Sequence, residues 1–572
     1  MTDIPGDERF INAEPIEKGW SNDKKYRVET AGGKRMLLRV SDISELDRKK
    51  AGYEMMERIH TLGVSTPQMF EFGLCDGGKS VYSLSEWING QDLETVLTQM
   101  SEAEQYSLGI KAGELLRKIH TIPAPENAAD WRDRYFSVID ERIDAYCSKG
   151  VPFAGSGIVL AYLERNRGLL NGRPQCFLHG DYHEGNLMMT AGGELYVIDW
   201  LDEGFGNHGD PWYDFKTFGE NDNAYFSTGF VRGYFGGEPP RDFWNVLTYY
   251  IVTSALTSIV WMKHHRPEEL SESLRWNEKN ARFLQDGRSP LTEWYLPDLY
   301  VQQTDGVPYK LKSPFDFSFL SRYGKVFKVF DDQDSGNICF GVRAGEKRYF
   351  IKFAGAPTAR SCVSQEEAVE RIRTNVPIYK DLAHPNLTSL IRWEETGGGC
   401  ALVFEWADAE CMGRQYPATR ERFMALPQEI KMKVFDDILS FHLHVIKQGY
   451  IAVDFYNGSI MYDFANGRTI ICDIEFYSKT PYTNPIGRMW GSSRFMSPEE
   501  FELGAVIDEI TNVYTMGATA FALFGDERDR RMARWQLSKA FFAVVNRAVS
   551  GERGKRQQSI TQLMEEWKAA GK

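Results

Sequence analysis

Two segments of the chain carry residue types that suit phosphoryl transfer. The run His179-Gly180-Asp181-Tyr182-His183-Glu184-Gly185-Asn186 is followed, after an apolar and turn-like interval, by Val197-Ile198-Asp199-Trp200. Asp181 and Asn186 stand five residues apart, and Asp199 follows thirteen beyond the asparagine. In such a set one Asp accepts the proton of an attacking hydroxyl, while the Asn and the second Asp hold Mg²⁺. The strand-like runs Leu187-Met188-Met189 and Leu195-Tyr196-Val197-Ile198, joined through Gly192-Gly193, would bring Asn186 and Asp199 side by side, as a shared cation requires. His179 and His183 suit hydrogen bonds that order the loop, because hard Mg²⁺ prefers oxygen. A related but altered set recurs at Asp454, Ser459 and Asp473, with Asn457 two residues before the serine as a rival ligand.

Other elements must position these groups. Residues 26–40 read as a hairpin around Ala31-Gly32-Gly33, and Arg39 near its end is a cation that can reach the phosphates of ATP. Gly19-Trp20-Ser21-Asn22-Asp23 just before it is the place for a phosphate-covering turn, which puts Ser21 beside the nucleotide. A helix is expected from about 44 to 60, and Glu54 on it is the candidate partner of Arg39. The strand ending Leu84-Ser85-Glu86-Trp87 reads as a hinge whose backbone meets the adenine. Ser101 and Glu104 form a capping box that opens a helix to about His120. More helical sequence fills 131–172 and 215–285.

A turn-rich passage, Gln302-Gln303-Thr304-Asp305-Gly306-Val307-Pro308, is expected to be a linker over 301–314. Beyond it the order of parts repeats. Strand pairs flank the acidic turn Asp331 to Asp334, where three aspartates would repel a triphosphate unless they turn outward. Lys352 ends a strand as a candidate phosphate lysine, and Glu370 is its expected partner on a helix, with Glu366 and Glu367 as rivals. Glu405 closes a second hinge strand. The interval from hinge to catalytic Asp is 95 residues in the first half (Glu86 to Asp181) and 49 in the second (Glu405 to Asp454). The first interval is thus 46 residues longer than the second.

At 572 residues the chain is too long for one hydrophobic core. The net charge of −13 is uneven: residues 1–300 sum to −14 and residues 301–572 to +1, with −13 of the former on 81–300. An acidic first half excludes nucleic acid as a partner and suits a cationic acceptor. Eight scattered cysteines without a Cys-x-x-Cys pair read as reduced thiols of a cytoplasmic protein. The polar, acidic N-terminus is unlike a secretory signal, and no run of eighteen apolar residues suggests a membrane span.

The motif His-Gly-Asp-x-His-x-x-Asn, then Ile-Asp-Trp, then Gly209-Asp210-Pro211-Trp212-Tyr213-Asp214 resembles the aminoglycoside phosphotransferase (choline kinase-like) superfamily over about residues 10–300. The resemblance implies a two-lobed kinase-like fold using ATP and Mg²⁺. It implies Asp181 as base, Asn186 and Asp199 as metal ligands, Arg39 as the phosphate cation with Glu54 as its partner, and Asp210 as a brace of the catalytic loop. Arginine at position 39 departs from the family's lysine. Residues 315–570 resemble serine/threonine protein kinases, above all in Gly491 to Glu499 and in Thr511 to Gly517, where Asn512 stands in place of the usual Asp. There Asp454 fits the base and Asp473 the metal, while Ala452-Val453 replace His-Arg and Ser459 the metal asparagine.

The expected fold class is therefore α+β: two tandem protein-kinase-like bilobal domains, each with a β-rich N-lobe and a helical C-lobe, at 1–300 and 315–572. The expected activity is an ATP:alcohol phosphotransferase, acting through the first module on a small amine-bearing molecule. For the second module an active protein kinase with a protein substrate and a pseudokinase scaffold both stay open, as does an interaction protein in which both centres are dead.

Overall fold

The computed structural model describes residue 4 and residues 9–16, 23–200, 207–217, 223–287, 293–361 and 363–571. Contacts divide the chain into two compact units, Met1–Leu299 and Tyr300–Lys572.

The first unit opens with β1 (Phe10–Ile16), β2 (Lys24–Thr30), β3 (Arg35–Asp42), helix α1 (Leu46–Thr61), β4 (Met69–Cys75) and β5 (Ser80–Glu86). The strands form one antiparallel sheet in the order β1-β2-β3-β5-β4, which makes β3 central. Alternation buries Val28, Met36, Leu38 and Leu84 on one face, so Lys25 and Arg39, paired across β2 and β3, project from the other. The apolar stripe of α1 buries Ile59 and packs Met55 and Met56 into the adjoining core.

After β6 (Gly90–Asp92) come α2 (Leu93–Leu97), α3 (Glu102–Ile119), α4 (Trp131–Lys149), α5 (Ser156–Arg165), β7 (Cys176–Phe177), the hairpin β8 (Leu187–Thr190) and β9 (Leu195–Val197), β10 (His208–Gly209), α6 (Ala224–Phe235), α7 (Arg241–His265) and α8 (Leu270–Gln285). Both halves of the Ser101–Glu104 capping box are made at the start of α3. By length and composition α7 is apolar enough to cross a membrane, but 67% of its most apolar stretch is buried within the fold. It supplies Phe243, Leu247 and Ile251 to one core cluster and Tyr249, Tyr250 and Leu256 to another, as a core helix does.

Helices α3 and α6 meet through glycine. A Cβ on Gly109 or Gly113 of α3 would lie 2.2 or 2.1 Å from the carbonyl oxygen of Phe226 or Phe230, and one on Gly229 or Gly233 of α6 2.1 Å from that of Tyr106 or Ile110. Four absent side chains let the two backbones touch. Gly233→Ala is therefore expected to destabilise the unit by about 3 kcal/mol, the upper end for overpacking, despite the ~1 kcal/mol that alanine gains as a helix former. Urea unfolding measures the difference. The contact matters for the site because Tyr182, next to Asp181, donates to the Ala112 carbonyl on α3 at 2.8 Å and stacks on Phe230 of α6.

The second unit begins with a hairpin, β11 (Tyr300–Thr304) and β12 (Val307–Leu311). The passage expected as a linker is thus ordered structure: Asp305 and Gly306 both take positive φ (52° and 86°) in a two-residue turn. Tyr309 and Leu311 are buried in the same cluster as Phe340 and Phe353, so the hairpin belongs to this unit's core. Then come β13 (Lys325–Phe330), β14 (Asn337–Ala344), β15 (Lys347–Ala354), α9 (Gln365–Asp381), β16 (Leu390–Thr396) and β17 (Gly399–Glu405), paired in the order β13-β14-β15-β17-β16. That is the strand order of the first unit, with a helix at the same point. The remainder comprises β18 (Glu410–Cys411), α10 (Pro417–Met424), α11 (Gln428–Lys447), β19 (Tyr450–Ile451), the hairpin β20 (Ile460–Asp463) and β21 (Arg468–Ile471), and helices α12 (Glu509–Phe524), α13 (Lys539–Ala548) and α14 (Ile560–Ala570).

Candidate active site

In the first unit the loop expected to be catalytic, residues 179–186, is tied down by Asp214. This fully buried carboxylate accepts from the backbone N–H of His179 and of Gly180, both at 2.7 Å, and lies 3.0 Å from His120 Nε2. Asp210, expected in this role, is turned elsewhere: it accepts from Arg173 at 2.7 and 3.0 Å and from the Tyr250 hydroxyl at 2.8 Å, and caps the turn at Trp212. The brace is four residues later in the same motif. Burial works to raise the Asp214 carboxyl, and His120, His179 and Lys216 outweigh it, so the group stays ionised. His179 Nδ1 accepts from the Asp181 N–H at 3.2 Å, which leaves Nε2 to donate to the Ile198 carbonyl at 3.0 Å. One imidazole thereby connects the loop to the strand end that carries Asp199.

Asp181 Oδ2 accepts from Asn186 Nδ2 at 2.9 Å and lies 3.4 Å from His183 Nε2. Burial acts to raise its carboxyl, but the His183 hydrogen bond and the Lys216 charge prevail and hold it below the usual range. Lys216 itself donates to the Gly180 carbonyl. Asn186 spends its amide N–H groups on Asp181, on Oδ2 and on the backbone oxygen, so its carbonyl oxygen is the atom left to meet a cation. The N–H of Ile198 donates to the Asn186 carbonyl at 3.0 Å, which sets Asn186 next to Asp199 across the hairpin. Asp199 takes φ +59°, an uncommon conformation for a residue with a side chain.

Arg39 Nη2 stands 3.8 Å from Asp199 Oδ1, so strand and catalytic hairpin share one locus. Glu54 does not join them: its side chain is 65% exposed and sits 3.9 Å from Lys50 on its own helix. The helix instead contributes Lys49, whose ammonium is 2.5 Å from Asp23, which also accepts from Ser41 Oγ. A further cation went unrecognised in the sequence. Lys25 lies opposite Arg39, and burial, then the Arg39 charge, depress its ammonium. Its signal was position: it faces Arg39 across the hairpin turn. Glu86 ends β5, where its N–H donates to the Gln68 carbonyl at 2.8 Å and its carboxylate accepts from the Gln68 N–H at 3.2 Å. Ser21 lies outside the described residues, as does the rest of the expected phosphate-covering turn, Gly19 to Asp23, apart from Asp23.

The second unit repeats this hairpin. Cys472 N–H donates to the Ser459 carbonyl at 3.0 Å, the counterpart of Ile198 to Asn186, and Asp473 takes φ +58°. Ser459 Oγ and Asn457 Oδ1 are buried and, among the described residues, have no hydrogen-bond partner. Asp454 has φ +61°, and burial followed by the charges of Asp473, Asp334 and Glu500 pushes its carboxyl up to about 7. Asn512 braces this loop by a different device. Its Oδ1 accepts from the Ala452 N–H and its Nδ2 donates to the Ala452 carbonyl, both at 2.7 Å. A carboxylate could not do both, so asparagine is the residue this backbone requires. Of the acidic turn, Asp331 accepts from the Lys310 N–H at 2.7 Å and Asp332 pairs with Lys310 at 2.8 Å, which directs two of the three carboxylates onto one lysine.

Lys352 is buried and lies 3.0 Å from Asp473 and 2.6 Å from Glu475. Burial opposes its charge, and these two carboxylates more than restore it. Glu370, its expected partner, is 66% exposed and pairs with Arg373 at 3.5 Å on its own helix. Glu475, two residues past Asp473, takes the place of the helix glutamate. Glu475→Gln is expected to cost about 1–3 kcal/mol by leaving a buried charge short of a partner, and Glu370→Gln less than about 0.5 kcal/mol. Chemical denaturation of the two variants side by side checks the order. Glu405 ends β17 with its N–H on the Ser389 carbonyl at 3.1 Å, and its side chain is exposed.

No cluster of three His, Cys, Asp or Glu suited to a metal occurs among the described residues. Mg²⁺ needs none, since it takes one or two protein oxygens and completes its shell from water and nucleotide phosphates. The side-chain oxygen of Asn186, for which no donor stands among the described residues, fits that demand together with Asp199, as do the Ser459 and Asn457 side-chain oxygens with Asp473.

With this geometry in view, residues 12–244 match the model of the phosphotransferase enzyme family (APH). Those residues lie within the first unit, whose fold is mixed α/β, a five-stranded antiparallel sheet followed by helices. Among curated proteins, the serine/threonine-protein kinase RUNKEL of Arabidopsis thaliana is 23% identical over 193 residues, covering 32% of this chain. The match spans only 13% of that relative's length. Solved structures similar to part of the chain include an ADP-bound aminoglycoside phosphotransferase APH(2'')-Ib (14% identical, 48% of this chain and 95% of that one, TM-score 0.37). Another is the GDP complex of aminoglycoside 2'-phosphotransferase-IIIa (13% identical, 48% and 94%, TM-score 0.38).

Proposed function

We propose that the first unit transfers the γ-phosphate of ATP to a hydroxyl of a small, amine-bearing molecule. The observation that carries this reading is the convergence of Asp181, Asn186, Asp199 and Arg39 at one locus. Asp181, kept ionised by His183 and Lys216, receives the hydroxyl proton. Asn186 Oδ1 and Asp199 hold Mg²⁺, which neutralises charge on the phosphates when bound. Arg39 and Lys25 supply the fixed cations beside it. Asp214 and His179 keep the loop in place, so that catalysis comes from positioning and charge neutralisation rather than a covalent intermediate. The charge of −13 on residues 81–300 favours a cationic acceptor. A screen of aminoglycosides, amino-alcohols and amino-sugars for acceptor-dependent ADP release tests the reading. Release driven equally by neutral polyols would remove the amine, and no release with any acceptor would remove the activity.

The second unit, on this reading, is a tandem protein-kinase-like domain that transfers phosphate to a protein hydroxyl, with Asp454 as base, Lys352 on the phosphates, Asp473 with Ser459 or Asn457 on Mg²⁺, and Glu405 in the hinge. The shared strand order and catalytic hairpin support it. A scaffold that regulates the first unit is favoured by one feature, a serine hydroxyl where an amide oxygen would ligate. Phosphate incorporation into protein that disappears in Asp473→Ala decides for transfer.

A further inference from the structure

The second unit is nearly neutral as a whole, and Asp454 itself faces the carboxylates of Asp473, Asp334 and Glu500, yet arginines collect just beyond the segment that packs on it. Gly491 packs against that residue: a Cβ there would lie 3.3 Å from Asp454 Oδ1. Three positions on, Arg494 forms an ion pair with Glu527, which is 6% exposed, and Arg420 of α10 reaches the same carboxylate at 3.3 Å. One buried glutamate thus anchors two arginines from different segments. Arg530 is held by neutral acceptors, the Arg494 carbonyl and the Tyr514 hydroxyl, so its charge is not cancelled. Arg414 and Arg528 are exposed, and among the described residues neither has an acidic partner. Two further acids on the 526–534 segment are already engaged: Asp529 pairs with Arg531 and stands 3.7 Å from Arg534, and Asp526 accepts the backbone N–H groups of Arg528 and Asp529. Counting all of these groups, seven arginines face three carboxylates. Burial, followed by the charges of Arg414, Arg420 and Arg528, depresses the Arg494 guanidinium.

Such clusters are how proteins recognise carboxylate and phosphate oxygens, which guanidinium forks match in geometry. We propose that this cluster is the acceptor-recognition site of the second unit and selects peptide segments in which the reacting hydroxyl is flanked by anionic side chains, either Asp/Glu or phosphoserine. The proposal rests on the reading that this unit presents protein hydroxyls to Asp454. It goes beyond that reading by assigning the charge of the substrate. The two exposed arginines make first contact, and the Glu527-anchored pair fixes the floor.

The test measures binding of the full chain to three fluorescent serine peptides, flanked by glutamates, by phosphoserine or by lysines, at low and raised ionic strength. The glutamate or phosphoserine peptide is expected to bind about tenfold or more tightly than the lysine peptide at low salt, and salt is expected to narrow the gap. Arg414→Glu combined with Arg528→Glu, both on the surface, is expected to abolish the preference, while Asp473→Ala leaves it intact. The better of the two anionic peptides identifies the group recognised. No binding, equal binding of all three, or a preference indifferent to the double variant overturns the proposal. Charge-selective binding without phosphate transfer supports the cluster and removes only the kinase reading. Transfer to peptides without charge preference does the reverse.

Discussion

Asp181→Asn is expected to lower acceptor-dependent turnover by about 10²–10⁴-fold, the range for loss of a general base, with the chain folded and its ATP affinity little changed. Asp181 Oδ2 receives a hydrogen bond from Asn186 and faces His183. An amide oxygen can keep the first contact but cannot take a proton. The loop itself does not depend on this carboxylate, because Asp214 holds the two preceding backbone N–H groups and Tyr182 is anchored on α3. ADP release with and without acceptor, measured at saturating ATP, separates the two effects. Full retention of acceptor-dependent turnover would show that another group removes the proton. A matching fall in both ATP binding and turnover would instead place Asp181 in nucleotide binding.

Much of this site was legible because its parts are local. Asp181, Asn186 and Asp199 sit on one loop and one hairpin, and the glycine turn and alternating strands set their spacing without help from the rest of the fold. The Ser101–Glu104 cap was legible for the same reason. What failed was pairing between distant elements. Glu54 is expected beside Arg39 from the family resemblance and its place on the following helix, and Glu370 beside Lys352 from chain distance, yet the rotation of each helix directs the glutamate to solvent and to a neighbour one turn away. The closer partner of Lys352, Glu475, lies two residues past Asp473, which is already singled out. Asp210 and Asp214 differ by four positions in one motif, and only their contacts tell which braces the loop. The supposed linker held an Asp-Gly turn between strand-like residues, a hairpin signal that was read only as a break.

Glu499→Gln is expected to destabilise the second unit by about 3–5 kcal/mol, the scale for breaking a buried pair and stranding its partner. Arg556 is fully buried and grips Glu499 at 2.7 and 3.0 Å, while Arg553 and the Thr511 hydroxyl reach the same carboxylate at 2.6 and 3.0 Å. Burial opposes the charge of Glu499, and these donors reverse that and hold its carboxyl down at about 2. A carboxyl depressed in the folded state adds stability that is fully present above its unfolded value, 4.5, and lost as pH falls from there through about 2. Its neighbour has the opposite sign. Glu500 is buried with its carboxylate against the N–H and hydroxyl of Ser497, and burial outweighs those bonds and pushes it up to about 7. The stability that Glu500 adds is present below 4.5 and lost as pH rises through about 7. Glu500→Gln keeps an oxygen to accept from Ser497 and cannot ionise, so this variant is expected to gain stability over the parent between pH 6 and 8, measured by denaturant unfolding. Over the same range Glu499→Gln is expected to show a constant deficit, because the charge it removes is already fully formed there. A deficit in Glu499→Gln that vanished at pH 7 would mean that Arg556 does not depend on this carboxylate. A parallel pH profile for Glu500→Gln and the parent would mean that Glu500 ionises in the folded chain as freely as in the unfolded one.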